Sequence, residues 1–357
     1  MRVLFIGGTG TISAAISKQA LELGWELFLL NRGNRNSELD ARGKPGKLIE
    51  IACDIRADSD EAIAAKVKAA MAQSAGSGDS PRFDAVADFI AFTREHVEKD
   101  WRIFKGLCAQ YIFVSSASAY QKPPASYLIT EGTPLANPYW EYSRNKIACE
   151  EYLMMQYREN GFPVTIVRPS HTYDERSVPL GVHGNNGSWQ VVKRIADGKP
   201  VIIHGDGTSL WTMTHNSDFA RGFIGLAGNI RAIGEAVHIT SDESLSWNQI
   251  YAAIAAALGR PLKAAHISSE FLAQCGHYDF TGALIGDKAN SLVFDNAKLK
   301  RLVPGFCASV RFDQGLRDTV GYVLSHPECQ REDPEFDAWC DRVIAARERV
   351  IQEIQRP

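Results

Sequence analysis

Residues 3–13 read VLFIGGTGTIS, and this junction constrains the chain more than any other stretch. An apolar run over 3–6 meets Gly7, Gly8 and Gly10, and a helical pattern starts at once. Ile12, Ala15, Ile16, Ala20 and Leu23 recur on one helix face, and Gly24 closes it. A continuous apolar strand is one covered on both sides. Glycines between such a strand and a helix permit a tight turn and let another molecule approach the main chain without a Cβ in the way. The helix start beyond them offers free N–H groups and a positive dipole end, which suit a pyrophosphate. The spacing is GxxGxxS, with Ser13 where a third glycine would complete the usual dinucleotide fingerprint.

The same alternation continues. Short apolar strands are predicted over 27–30, 48–52, 85–90, 111–115 and 164–167, with helical stretches between them, one of them near 61–71. AGSGDSP at 75–81 reads as a flexible loop. Buried strands alternating with helices give an α/β fold built on a parallel sheet. After Arg168 the pattern changes. Residues 174–211 are rich in Gly, Pro, Asn and Trp and include HGNNGSW and HGDGTSLW. Helical and strand patterns return at 218–226 and 236–240, followed by a helix over 247–258 and a charged helix near 337–354. The reading is a dinucleotide domain over 1–170 plus about 212–243, and a smaller lobe over 171–211 and 244–357.

Other classes lack support. The 357 residues carry a net charge of −3 with both signs mixed, which gives no electrostatic reason to expect nucleic acid or an anionic membrane. No apolar run approaches the roughly 18 residues of a membrane span. The seven cysteines are scattered and include no CxxC pair, which argues against a disulfide framework or a metal site. With a first strand predicted from Arg2, no signal peptide is expected, and a reducing cytoplasm is the expected location.

The second strand ends in LLNRGN, which puts Asn31 and Arg32 where the adenosine ribose is read. A carboxylate there would repel a 2′-phosphate. Asn31 removes that repulsion and Arg32 adds a fork-shaped cation, with Arg35 as a candidate helper. This favours NADP(H), with NAD(H) as the alternative. Asp54 and Ile55, after the third strand, suit the adenine amino group and face. Phe89, Ile90 and Ala91, after the fourth, place backbone near the middle of the cofactor.

Two stretches carry candidate chemistry. FVSSASAY puts Ser115, Ser116 and Ser118 at a strand end, and YSRNK puts Tyr142 and Lys146 on one face of a helix. An ammonium near a phenol lowers the phenol pKa toward working pH, so Tyr142 is expected to exchange a proton with a substrate hydroxyl. Lys146 is also expected to hold the nicotinamide ribose, and Ser116 to orient the substrate oxygen.

GGTGTIS, CDI, SSASAY and YSRNK fall in an order that resembles the extended short-chain dehydrogenase/reductase family, the NAD-dependent epimerase/dehydratase group. The match runs from Arg2 to about Asp242, and HGDGTSLWTMTHNSD resembles a later family segment. GGTGTIS, NRGN, ADFIAFTREHVE and RPSHTY most resemble an atypical branch that includes the chloroplast stem-loop-binding proteins. The resemblance implies a Rossmann-type doubly wound sheet with a smaller α/β substrate-binding lobe. It implies Ser116, Tyr142 and Lys146 as catalytic. Gly7, Gly10, Thr11, Ile12, Ser115, Pro169 and His171 join the cofactor-binding set.

The resemblance further implies a sugar or nucleotide-sugar substrate and oxidoreductase or epimerase activity. Ser116, Ser118, His171, Trp189 and Trp211 are expected on the substrate side. Family dehydratases carry Asp-Glu where Ala117 and Ser118 stand, so dehydration is disfavoured. His171 stands where many relatives carry a substrate-binding Asn; it reads either as a substrate or proton-transfer residue, since imidazole titrates near neutrality, or as a satisfied core histidine. Asp206 reads as a turn residue and Asp218 as a helix N-cap. A homodimer is expected through helices near 94–108 and 142–158. The competing reading is a non-catalytic dinucleotide- or RNA-binding protein of the same branch. Retention of both Tyr142 and Lys146, and the lack of a basic stripe, count against it.

Overall fold

The computed structural model describes residues 1–33, 39, 41–74 and 82–356. Arg35 and the loop expected at 75–81 lie outside them. Among the described residues seven strands form one sheet: β1 (Arg2–Ile6), β2 (Glu26–Asn31), β3 (Lys47–Ala52), β4 (Ala85–Asp88), β5 (Tyr111–Val114), β6 (Val164–Pro169) and β7 (Ala236–Ile239). Their order is β7-β6-β5-β4-β1-β2-β3, and every neighbouring pair is parallel. This is a Rossmann-type α/β sheet. From β1 the chain winds outward to β3, then returns to β4 on the other side of β1. The reversal opens a crevice at the carboxyl ends of β1 and β4, where ligands of such sheets bind.

Both faces are covered, as continuous apolar strands require. Helices α1 (Ser13–Glu22) and, much later, α5 (Asn216–Leu226) pack on one face, where Phe5, Phe89 and Phe223 meet edge to face. Helices α2 (Asp60–Ser74), α3 (Arg94–Phe104) and α4 (Glu141–Asn160) cover the other. A second core gathers Trp211, Trp247 and Tyr251 beneath the helices Trp189–Ala196, Trp247–Ala257 and Pro334–Ile354. The short strands His171–Tyr173 and Met213–His215 pair in parallel just beyond the end of β6.

Asp218 is not the N-cap expected for α5. His215 caps that helix, and Asp218 sits in its first turn, pairing with Arg221 and accepting from Ser309 N and Val310 N at 3.2 and 2.9 Å. Asp206 does close a turn, accepting from Thr208 N at 2.9 Å.

A buried ion pair locks α4 to β6. Glu150 receives Arg168 Nη2 at 2.5 Å, with both side chains almost fully enclosed, and Ser115 Oγ also donates to it at 2.5 Å. Removing one member strands a charge. Glu150→Ala is therefore expected to cost about 3–5 kcal/mol of stability, read from urea unfolding. An unchanged midpoint would contradict this account of the α4–β6 junction.

Candidate active site

The glycine turn is built from the packing outward. Gly7 has φ +79°, and a Cβ there would meet Ile90 Cγ2 at 2.5 Å. A Cβ on Gly8 would meet Leu29 Cδ1 at 2.4 Å. Gly10 differs: its nearest neighbour would be Ser13 Oγ at 3.5 Å, and it borders a cleft of about 660 Å³. Glycine at this position keeps the cleft open. Ser13, in place of the third glycine, staples the turn by donating to Gly7 O at 2.8 Å and accepting from Gly10 N at 2.9 Å. Ser17 Oγ holds Gly8 O at 2.8 Å. The N-cap residue of α1, Ile12, makes no side-chain capping bond, so among the described residues the α1 N-terminus has amide groups to offer an anion.

Gly7, Gly10, Asn31, Arg32, Asp54, Ile55 and Ile90 all line this cleft, a room and donor set that fit a dinucleotide. Asn31 Oδ1 accepts from Gly33 N at 2.8 Å, and Asp54 Oδ1 from Arg56 N at 3.0 Å. The structure places several expected residues elsewhere, among them Ala91, which is fully buried with its carbonyl accepting from Lys146. Phe89 turns into the core against Phe5 and Phe223, Ile12 packs on the same core, and Thr11 borders a smaller cavity of about 190 Å³. Ser115 is buried on Glu150.

Ser116, Ser118, Tyr142, Pro169, His171 and Trp211 are brought together around one cavity of about 280 Å³. Ser143 Oγ donates to Ser118 Oγ at 2.8 Å, and the Ser116 and Ser118 hydroxyls are 2.9 Å apart. Lys146 lies beneath. Its ammonium donates to Ala91 O at 2.7 Å and Val114 O at 2.8 Å, and sits over the rings of Phe92, Phe113 and Tyr142 at 4.9, 4.8 and 5.8 Å. Phe92 also lines the dinucleotide cleft, and its ring is 6.3 Å from that of Tyr142.

The electrostatics correct two expectations. Burial pushes the Tyr142 phenol up, and its hydrogen bond with Ser116 offsets this only in part. Lys146 adds no lowering to the phenol; its own ammonium is held by two carbonyls, and desolvation takes its pKa down to about 8. Burial also drives His171 down to about 3, with Lys288 and His183 adding to the effect, so the imidazole is neutral rather than titrating near pH 7. Trp189 lines neither cavity and packs half-buried against the second core.

Several site residues were missed by sequence reasoning. Asp88 ends β4 fully buried, accepts from Ile90 N at 2.6 Å and pairs with Arg56 Nη2 at 2.5 Å, fixing the turn that leads to Ala91. A lone acid closing the apolar strand AVAD was the available signal. Trp140, Asp287 and Lys288 complete the 280 Å³ cavity, and no local motif announced them.

Residues 3–239 match the family model described as the NAD dependent epimerase/dehydratase family. The chain is 27% identical over 311 residues to a 2'-dehydrokanamycin reductase of Streptomyces kanamyceticus, covering 86% of this chain and 80% of that protein. It is 25% identical to the chloroplast stem-loop binding protein of 41 kDa b of Arabidopsis thaliana, covering 73% and 64% of the two chains. A UDP-glucuronic acid 4-epimerase from Bacillus cereus, solved with UDP-glucuronic acid and NAD, superposes with a TM-score of 0.68 at 18% identity, covering 91% of this chain and 99% of that one. An epimerase from Methanothermobacter thermautotrophicus gives a TM-score of 0.70 at 17% identity, covering 92% and 94%. These two share the fold.

The depressed pKa of Lys146 makes a signed prediction. Between about pH 8 and the ordinary 10.5 the unfolded chain holds a proton that the folded chain has released, so raising the pH favours the folded state. The stability of the wild type relative to Lys146→Met is expected to rise by on the order of 3 kcal/mol across that window. Denaturant unfolding at both ends of the window checks it; a flat difference would refute the buried-ammonium account.

Proposed function

Since the chain belongs to the NAD-dependent epimerase/dehydratase family, we propose that it is an NADP(H)-linked oxidoreductase that reduces a ketone on a sugar-like ring. One observation carries this: Ser116 and Tyr142 converge on one cavity, and the Tyr142 ring lies 6.3 Å from that of Phe92, which lines the larger cleft, with the Lys146 ammonium beneath both rings. Gly7, Gly10 and the uncapped start of α1 would hold the pyrophosphate, Asp54 and Ile55 the adenine, and Asn31 and Arg32 the 2′-phosphate. When bound, the nicotinamide supplies the hydride.

The chain's own residues handle the proton. Ser116 orients the substrate oxygen. Burial raises the Tyr142 pKa, so the phenol is protonated at neutral pH and has a proton to give to an oxygen that is gaining negative charge, as ketone reduction requires. Lys146 lies beneath the Tyr142 ring, its ammonium held by the carbonyls of Ala91 and Val114. The named activity of the Streptomyces relative, a reductase, supports the same direction. Ala117 and Ser118 offer no acid–base pair for loss of water, which disfavours dehydration. We also propose a homodimer through α3 and α4, whose outer faces leave Trp101, Met154 and Met155 half-exposed. Light scattering tests it, and a monomer at micromolar concentration would end it.

Tyr142→Phe is expected to lower NADPH-dependent reduction of a keto sugar by about 10²–10⁴-fold while NADPH affinity holds. Unchanged turnover would remove Tyr142 from the chemistry. Arg32→Ala is expected to weaken NADPH by roughly 10-fold or more and leave NADH unaffected, as loss of a charge-assisted contact to phosphate requires. Calorimetry giving equal losses for both coenzymes would remove Arg32 from phosphate recognition.

A further inference from the structure

Asp287 is a carboxylate without hydrogen-bond donors in a built cavity. It ends the helix Thr281–Lys288, is 8% exposed, and lines the same space as Ser116 and Tyr142. Among the described residues no group donates a hydrogen bond to it. The ammoniums of Lys122 and Lys288 each stand 3.8 Å away, beyond hydrogen-bond reach. An ionised carboxylate has room for about four donors, so its acceptor capacity is unused. Lys288 also has donors to spare: its one hydrogen bond is a long 3.4 Å contact to Ala283 O, and its ammonium lies 5.8 Å from the Trp140 ring.

The wall is fixed in place. Asn137 Nδ2 donates to Ser118 O at 2.8 Å and to Gly286 O at 2.7 Å, tying the turn that carries Asp287 to the serine cluster. Trp140, Trp211 and Phe294 give the cavity apolar faces. Extending the reading above to the substrate, we propose that Asp287 and Lys288 recognise an uncharged vicinal diol on the sugar-like ring. One hydroxyl donates to Asp287 and its neighbour accepts from Lys288, while the ring's C–H face lies against the aromatic wall. Charge selects the class. The pair is neutral by itself. A carboxylate or phosphate on that edge would face Asp287, and an ammonium would face Lys288; Lys122 stands on the Asp287 side, its buried amine has no hydrogen-bond partner among the described residues, and burial disfavours its charge.

The test uses the full chain saturated with NADPH, with methyl α-D-glucopyranoside, D-glucuronate and D-glucosamine as probes. Binding is read by saturation-transfer NMR and by tryptophan fluorescence, since Trp140 and Trp211 line the cavity. The neutral glycoside is expected to bind about 10-fold more tightly than either charged sugar, as a charge-assisted pair of hydrogen bonds implies. Asp287→Asn and, separately, Lys288→Gln are each expected to remove most of that advantage, and Asp287→Asn to improve D-glucuronate. Lys288→Gln, at the cavity edge, serves if the Asp287 variant does not fold. Tightest binding by a charged sugar, no binding by any probe, or an unchanged preference in the variants would overturn the proposal while leaving the oxidoreductase reading intact. Failure of the chain to bind NADPH would overturn both.

Discussion

The ammonium of Lys146 is the tie on which the site depends. It is buried and bridges the main-chain carbonyls of Ala91 and Val114, so one cation joins the turn after β4, the end of β5 and the first half of α4. Each of these elements brings something to the reaction centre: Phe92 at the mouth of the dinucleotide cleft, the serine cluster after β5, and Tyr142 one turn before the lysine. The turn after β4 is secured from below as well. Arg56 neutralises Asp88, which accepts from Ile90 N, while Asp100 receives both Arg56 and the Tyr111 hydroxyl. Burial and the neighbouring Asp88 raise Asp100 well above an ordinary carboxylate.

Burial sets the electrostatics of this arrangement. Desolvation acts in opposite directions on the two groups: it pushes the phenol up and the amine down. The result is a protonated tyrosine above a lysine that releases its proton more readily than usual. Neutral His171 stands between the two smaller cavities and offers a hydrogen bond without a charge. In the proposed reading Tyr142 gives a proton to a nascent alkoxide, and the other walls are left to identify the ring that carries it.

Much of the architecture was legible in the sequence because it rests on local patterns. Apolar runs marked the strands, helical spacing marked α1, and glycines marked the turn whose geometry leaves no room for Cβ atoms at Gly7 and Gly8. Ser116, Tyr142 and Lys146 were readable from type and spacing, and the fold does bring them together. What escaped depends on contacts between distant segments. Asp287 and Lys288 reach the cavity from a helix more than a hundred residues after Tyr142, and nothing in IGDKAN marks them. Trp189 was offered to the substrate by its residue type alone, whereas the second core claims it. His171 was read as an ordinary imidazole and Tyr142 as a phenol lowered by Lys146, whereas burial lowers the first and raises the second. Asp218 was judged by its place before a helical run, while its real partners lie near residue 310.

The late arrival of β7 and α5 has a consequence for how this chain is made. Six strands of the sheet leave the ribosome before residue 170, yet the strand that completes the edge beside β6 is Ala236–Ile239, and the helix that shields Phe5 and Phe89 begins at Asn216. Until those segments emerge, the nascent half presents an unpaired strand edge and a bare aromatic face, the two features that most readily recruit another chain. Translation of the intervening segment therefore sets an interval of exposure, and co-translational chaperones have their natural point of action there.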